Sequence, residues 1–294
     1  MKDTIVVTGG AGFIGSNLIS FLIKKTKYKI ISIDNYSTGR KKNHIKNKRI
    51  RYLKAENSNI STTLKKFKSK ISTVFHFGEF SRIYMSFKLI DKCYNSNMVG
   101  TFKVVKFCSD NNIRIIYSAS SSKFGNEGKD EHLSPYSWSK SKNIEFIKNF
   151  SKWYNLKYEI LYFYNVYGPN HIRNSNMAAV IGIFESLYKK NKKLTVVKPG
   201  TQRRDFTHVK DIIRGCYLAF QKGRNSEYLL GTKKTYSVIQ IAKMFGTKIK
   251  FISQRPGERL GSVNKDNKAF THLGYKAKID IKDYIKDFII KNKR

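Results

Sequence analysis

The first half of the chain alternates short apolar runs with longer amphipathic stretches. Thr4 to Val7, Ile30 to Ile33, Val74 to Phe77 and Ile113 to Ser118 are rich in β-branched residues and predict strands, while the segments between them carry apolar residues at helical spacing. Such alternation predicts a parallel sheet wrapped by helices, because a parallel crossover needs a long return connection. A further run, Tyr158 to Phe163, precedes Asn165-Val166-Tyr167-Gly168-Pro169, where the Gly-Pro pair interrupts the pattern. Beyond it the periodicity predicts a helix around Ala178 to Lys190, a strand at Leu194 to Val197, the segment Arg203 to Asp211, a helix through Phe220 and a last helix near Ile281 to Ile290. The expected organisation is a doubly wound α/β domain over 1–166, with a return segment near 207–232, and a smaller C-terminal α/β domain over 167–294.

Composition narrows the class. At 294 residues and 40% hydrophobic content the chain can bury a sizeable core, which excludes a disordered reading. No apolar run of about eighteen residues occurs and the start lacks a signal-peptide layout, so the expectation is a soluble, cytoplasmic protein with no membrane partner. Cys93, Cys108 and Cys216 are odd in number and widely spaced, which supports neither a disulfide framework nor a metal site. A formal charge of +38 would ordinarily suggest a polyanionic partner. Its lysines are scattered instead, at Lys24-Lys25, Lys41-Lys42, Lys65-Lys66, Lys189-Lys190 and Lys291 to Lys293, so a solvated surface is the simpler reading and nucleic acid is not the expected partner.

Residues 8 to 15 read TGGAGFIG, with Gly9, Gly12 and Gly15 between the first strand and the apolar helix that starts at Phe13-Ile14. One glycine permits a tight turn, a second lets backbone amides approach a pyrophosphate, and a third lets helix and strand pack closely. Asp34 ends the second strand, 19 residues after Gly15, where a carboxylate can bond both ribose hydroxyls and repel a 2′-phosphate. NAD is therefore the expected cofactor.

Tyr136 and Lys140 are four apart at the start of a helical stretch, so both can lie on one face. An adjacent ammonium and a positive nicotinamide ring favour a phenolate, which suits a tyrosine to proton transfer. Upstream, Ser118-Ala119-Ser120-Ser121-Ser122-Lys123-Phe124-Gly125 predicts a hydroxyl-rich turn able to hydrogen-bond a reacting oxygen.

With NVYGP at 165–169, RRDFTHVKD at 203–211 and RPGER at 255–259, these motifs resemble the extended short-chain dehydrogenase/reductase family, in its NAD-dependent sugar-nucleotide epimerase/dehydratase group. The resemblance spans nearly the whole chain and implies a Rossmann-type fold with a sugar-nucleotide domain. It implies Ser120, Tyr136 and Lys140 as the catalytic set. It places Gly9, Gly12, Phe13, Ile14, Gly15, Asp34, Asn35, Glu56, Asn57, Phe77, Gly78 and Asn97 with Tyr136 and Lys140 around NAD, and Ser120, Asn165, Val197, Arg204, Arg255, Glu258 and Ser262 around a UDP-sugar. Arg204 and Arg255 would clamp the diphosphate and its ribose, Glu258 would accept from the uridine ribose, and Ser262 would line the wall facing the sugar's C2 substituent, leaving room for an N-acetyl group. The resemblance also implies a homodimer through helices near Phe87 to Asp110 and Tyr136 to Tyr154.

Two positions depart from the family pattern. Ala55-Glu56 stands where Gly-Asp is common, which implies a repositioned adenine contact. Glu79 stands where small residues are usual, a charge beside the cofactor cleft that is expected to perturb cofactor affinity. Relatives that eliminate water or decarboxylate usually carry an acid two residues after the catalytic hydroxyl, where this chain has Ser122. The reading this favours is 4-epimerisation of a UDP-hexose. A dehydratase, decarboxylase or reductase of the same family, and a non-catalytic dinucleotide-sensing or RNA-binding protein, remain as alternatives.

Overall fold

The computed structural model describes residues 2–258, 261 and 266–292, with the side chains of all of these except 125–129. Strands β1 (Thr4–Thr8), β2 (Lys29–Asp34), β3 (Ile50–Lys54), β4 (Ile71–His76), β5 (Arg114–Ser120) and β6 (Tyr158–Phe163) lie in one parallel sheet. β7 (Asn165–Tyr167), β8 (Leu194–Val197) and β9 (Arg203–His208) lie outside it, and β10 (Ser226–Leu230) returns to its edge. The sheet order is β10-β6-β5-β4-β1-β2-β3. Two small sheets carry the other side of the cleft, β9 between β7 and β11 (Thr235–Ser237), and β8 beside β12 (Ile249–Ile252).

Strands buried on both faces explain the continuous apolar runs: β1 is buried at all five positions and β2 at five of six. One core lies between the sheet and the helices Gly100–Asp110 and Pro135–Tyr154, and contains Val74, Val104, Ile115, Ile144 and Ile160. The other, with Ile5, Leu18, Leu22, Ile116 and Ile213, packs the helices Phe13–Lys25 and Val209–Lys222 on the opposite face. A third core, around Phe184, Phe206, Ile241 and Ile285, belongs to the small sheets.

The structure corrects the pattern in three places. β3 is an edge strand without a buried position, so its mixed run IRYLK gives no apolar signal. Strand β4 ends at His76, leaving Phe77 to turn into the cleft loop. Ser118 to Ser120 are strand rather than turn, and a 3₁₀ stretch, Ser121–His132, follows. Among the described residues no helix is long and apolar enough to cross a membrane, and no group of three or more His, Cys, Asp or Glu could hold a metal ion.

Candidate active site

The sheet's C-terminal edge brings the glycine loop, the end of β2 and the loop after β4 together, as open α/β sheets do. Gly9 has φ +68°, and a Cβ there would come within 2.8 Å of the Gly78 backbone. At Gly15 a Cβ would overlap the Gly9 carbonyl, whereas at Gly12 the nearest atom is Gly9 O at 3.1 Å. Gly12 begins the helix Phe13–Lys25 without a side-chain cap, so the first-turn amides of Phe13, Ile14 and Gly15 face the loop. Asp34 accepts from Ala11 N at 2.9 Å and Tyr36 N at 2.8 Å. Burial raises its carboxyl, and those two amides oppose the rise. Each oxygen keeps a lone pair for a ribose hydroxyl. Exposed Glu56 accepts from Asn35 Nδ2 at 3.0 and 3.2 Å, and Asn57 donates to Gly78 O. A glycine cradle, an uncapped helix start and a carboxylate with acceptor capacity to spare at the end of β2 fit NAD.

The helix Pro135–Tyr154 starts cleanly, with Ser134 capping Ser137 N and Pro135 in its first turn. It carries Tyr136, half-buried, and Lys140, 5% exposed, one turn apart. Tyr136 N donates to Ser86 Oγ at 3.3 Å, fixing the helix start against the helix Ile83–Lys88. Ser120 ends β5, and its hydroxyl oxygen accepts from Ser122 N at 3.2 Å, so the backbone orients it. Asn97 sits in a π-helical turn, Asn95–Val99, a distortion frequent at functional sites. Its side chain accepts from Phe80 N at 2.7 Å and donates to Ser139 Oγ at 3.0 Å, tying the loop after β4 to the helix Pro135–Tyr154.

Glu79 does not stand as a lone charge in the cofactor cleft. Its side chain is 2% exposed and pairs with Lys140 Nζ, which also donates to Ser118 O at 2.6 Å. The other carboxylate oxygen accepts from Thr101 Oγ1, Tyr117 OH and Asn143 Nδ2, each at 3.0 Å.

Across the cleft, Asn165 opens β7 opposite Phe206, and Val197 ends β8 with its carbonyl accepting from Gln202 Nε2 at 3.2 Å. Arg204 Nη2 meets Glu258 Oε1 at 3.1 Å, and Gln202 Nε2 approaches the same oxygen at 3.4 Å. Arg255 lies over the Tyr84 ring at 5.2 Å. The structure thus pairs two residues, Arg204 and Glu258, that sequence reasoning gave separate ligand contacts. Ser262 lies outside the described residues.

The profile of the NAD dependent epimerase/dehydratase family matches residues 5–231. The chain belongs to this family. A Methanocaldococcus jannaschii epimerase/dehydratase relative, provisionally named UDP-glucose 4-epimerase, is 30% identical over 299 residues that cover 96% of each chain. The Thermotoga maritima UDP-glucose 4-epimerase, solved with UDP-glucose, superposes with a TM-score of 0.90 at 25% identity, over 99% of this chain and 100% of that one. The UDP-N-acetylglucosamine 4-epimerase of Methanobrevibacter ruminantium, in complex with UDP-N-acetylmuramic acid, gives 0.88 at 27% identity over 99% and 98%. An Arabidopsis thaliana UDP-glucuronic acid decarboxylase is also similar, 24% identical over 95% of this chain and 85% of its own length.

Within this epimerase/dehydratase frame, sequence reasoning missed Thr101, Tyr117, Asn143 and Arg82. Asn143 had a local signal, standing three residues after Lys140 on the same helical face. Arg82 Nε donates to Met177 O, and burial lowers its guanidinium while the nearby Tyr136 phenol opposes that shift. No local spacing marks Thr101 or Tyr117.

Proposed function

We propose that the chain is a UDP-hexose 4-epimerase. The observation that carries this reading is Ser122, which occupies the place where eliminating and decarboxylating relatives keep an acid. The residue is 1% exposed, and among the described residues its hydroxyl has no hydrogen-bond partner. A serine hydroxyl does not ionise near neutral pH, so elimination lacks its second acid/base and reversible oxidation at one carbon remains. The similarity to two solved 4-epimerases supports the same reaction.

Held at the glycine loop and Asp34, NAD would supply the redox chemistry, a reversible hydride transfer at the sugar's C4. The Tyr136 phenol oxygen takes the 4-hydroxyl proton and later gives it back. Ser120, oriented by Ser122 N, shares a hydrogen bond with the same sugar oxygen. Arg204 and Arg255 hold the diphosphate while the hexose turns, which keeps the 4-keto sugar in the cleft. Ser262 is assigned to the C2 wall and the N-acetylated pair to the substrate range, both checked by comparing kcat/KM for UDP-GlcNAc and UDP-Glc in wild type and Ser262→Tyr.

The same reading makes the protein a cytoplasmic homodimer. Phe87, Ile90 and Tyr94, exposed at 42, 55 and 52%, line with Leu133 and Trp138 an apolar hollow between the two helical regions expected to pair. Light scattering that reports only monomer would remove the dimer.

Incubation with a panel of UDP-, GDP- and dTDP-sugars, followed by chromatography for 4-epimers, tests the function. Tyr136→Phe is expected to lower kcat by roughly 10²–10⁴ with NAD and UDP binding nearly unchanged, the loss typical of a general acid/base. A wild-type rate would take Tyr136 out of the reaction.

A further inference from the structure

The Glu79–Lys140 pair ends a chain of hydrogen bonds that begins in the cofactor cradle. Phe77 N and Gly78 N both donate to Thr8 Oγ1 at 3.1 Å. Thr8 Oγ1 lies 2.7 Å from His76 Nδ1, and His76 Nε2 lies 2.9 Å from Thr101 Oγ1. Because a carboxylate only accepts, the Thr101 proton points at Glu79, so Thr101 accepts from His76 Nε2–H and His76 Nδ1 accepts from Thr8. Every donor in the chain therefore points the same way, from the loop after β4 through Thr8 to Glu79. A neutral His76 is what burial enforces, pushing its imidazole down to about 4 with Glu79 opposing.

Lys140 reaches Glu79 from the catalytic helix. An ammonium has three protons. One goes to Glu79 and one to Ser118 O, so a single N–H remains for the cleft. Lys140 also stands over the Tyr117 ring at 4.8 Å, which further restricts where it can move. Glu79 is thereby both a clamp and a counter-charge, and the pair carries no net charge into the cofactor site.

We propose that Glu79 is a positioning residue of this active site: it pins the Lys140 ammonium on the Ser118 side and cancels its charge, which balances the binding of oxidised and reduced nicotinamide. The oxidised ring is cationic and the reduced ring is neutral. An uncompensated ammonium repels the first and not the second. The inference rests on NAD binding alone and holds whichever sugar is the substrate.

Dissociation constants for NAD and NADH, measured by equilibrium titration without sugar, test it directly. Glu79→Gln preserves shape and removes the charge, and it is expected to raise the ratio of the NAD constant to the NADH constant about tenfold. Lys140→Met leaves the carboxylate alone and is expected to lower that ratio. The double variant Glu79→Gln/Lys140→Met removes both charges and is expected to return the ratio close to wild type. A residue that only supports the fold would weaken both cofactor forms alike, so an unchanged ratio in Glu79→Gln overturns the proposal. Where thermal unfolding shows that Glu79→Gln does not fold, Lys140→Met and the double variant decide, and equal ratios in those two overturn it.

Discussion

At Gly9, Gly15 and Gly78 the glycine cradle is built from backbone atoms packed closer than any side chain allows, whereas the clamp proposed for the sugar nucleotide consists of the long side chains of Arg204, Glu258 and Arg255. The first arrangement is steric and depends on what residues lack. The second is electrostatic, and two of its members, Arg204 and Glu258, hold each other before any ligand arrives. Arg204 and Glu258 are 9% and 24% exposed at their side chains and are already paired, so a sugar nucleotide bound as proposed would either join that pair or exchange one of its bonds. The cradle is thus rigid by exclusion, and the clamp adjustable by partner choice.

The largest expected effect would sharpen the steric half. Gly12→Ala makes a tight contact with Gly9 O at 3.1 Å, which a shift of a few tenths of an ångström relieves, and adds a methyl where the loop would face the cofactor. It is expected to keep the unfolding temperature near wild type while NAD affinity falls about 100-fold, near 3 kcal/mol. Gly15→Ala overlaps the Gly9 carbonyl and should also cost about 1–3 kcal/mol of stability. Equal stability losses in the two variants, read by thermal unfolding, would break the distinction.

A smaller effect tests the clamp. Arg255→Ala is expected to raise KM for the sugar nucleotide about tenfold with kcat little changed, because a charge-assisted contact to a diphosphate acts in ground and transition states alike. NAD affinity should not move. An unchanged KM would leave Arg255 as a partner of Tyr84 only.

The smallest effect compares one histidine from each side. Burial pushes both His76, behind the cradle, and His208, at the end of β9, down to about 4. A histidine depressed on folding leaves the unfolded chain binding the extra proton, so its stability contribution is full above about 6.5 and is lost as pH falls towards 4. Glu159 acts in the opposite sense. Burial raises it to about 7, so the folded chain gains stability as pH falls from there towards its ordinary value of 4.5. Two histidines against one glutamate leave a net loss between about pH 6.5 and 4, visible as a lower unfolding temperature at pH 5 than at pH 7. His76→Gln and His208→Asn should each flatten that slope, and flattening by only one would show that the two regions titrate differently.

What the sequence made legible follows the same division. Glycine spacing, the apolar helix after Phe13 and the acid at the end of β2 are local signals, since each residue's role depends on neighbours within one βαβ unit. Tyr136 and Lys140 were legible for the same reason, one helical turn apart. The partners of Glu79 were not, because Thr101, Tyr117 and Asn143 come from three elements that meet only when the sheet is assembled. The Arg204–Glu258 pairing was hidden likewise, its members being separated by 54 residues of chain.

The placement of β10 carries a consequence for how the protein is made. β6 occupies residues 158–163, but its outer neighbour arrives only at Ser226–Leu230, after β7, β8 and β9 have been synthesised for the other sheets. During that interval the nascent sheet ends on β6, whose strand is buried at five of six positions in the finished protein. Its unpaired edge and apolar surface are the kind that recruit other strands. Completion of the sheet is therefore a late, long-range event, and the window before residue 230 emerges is when the growing chain is most exposed to pairing with the wrong strand.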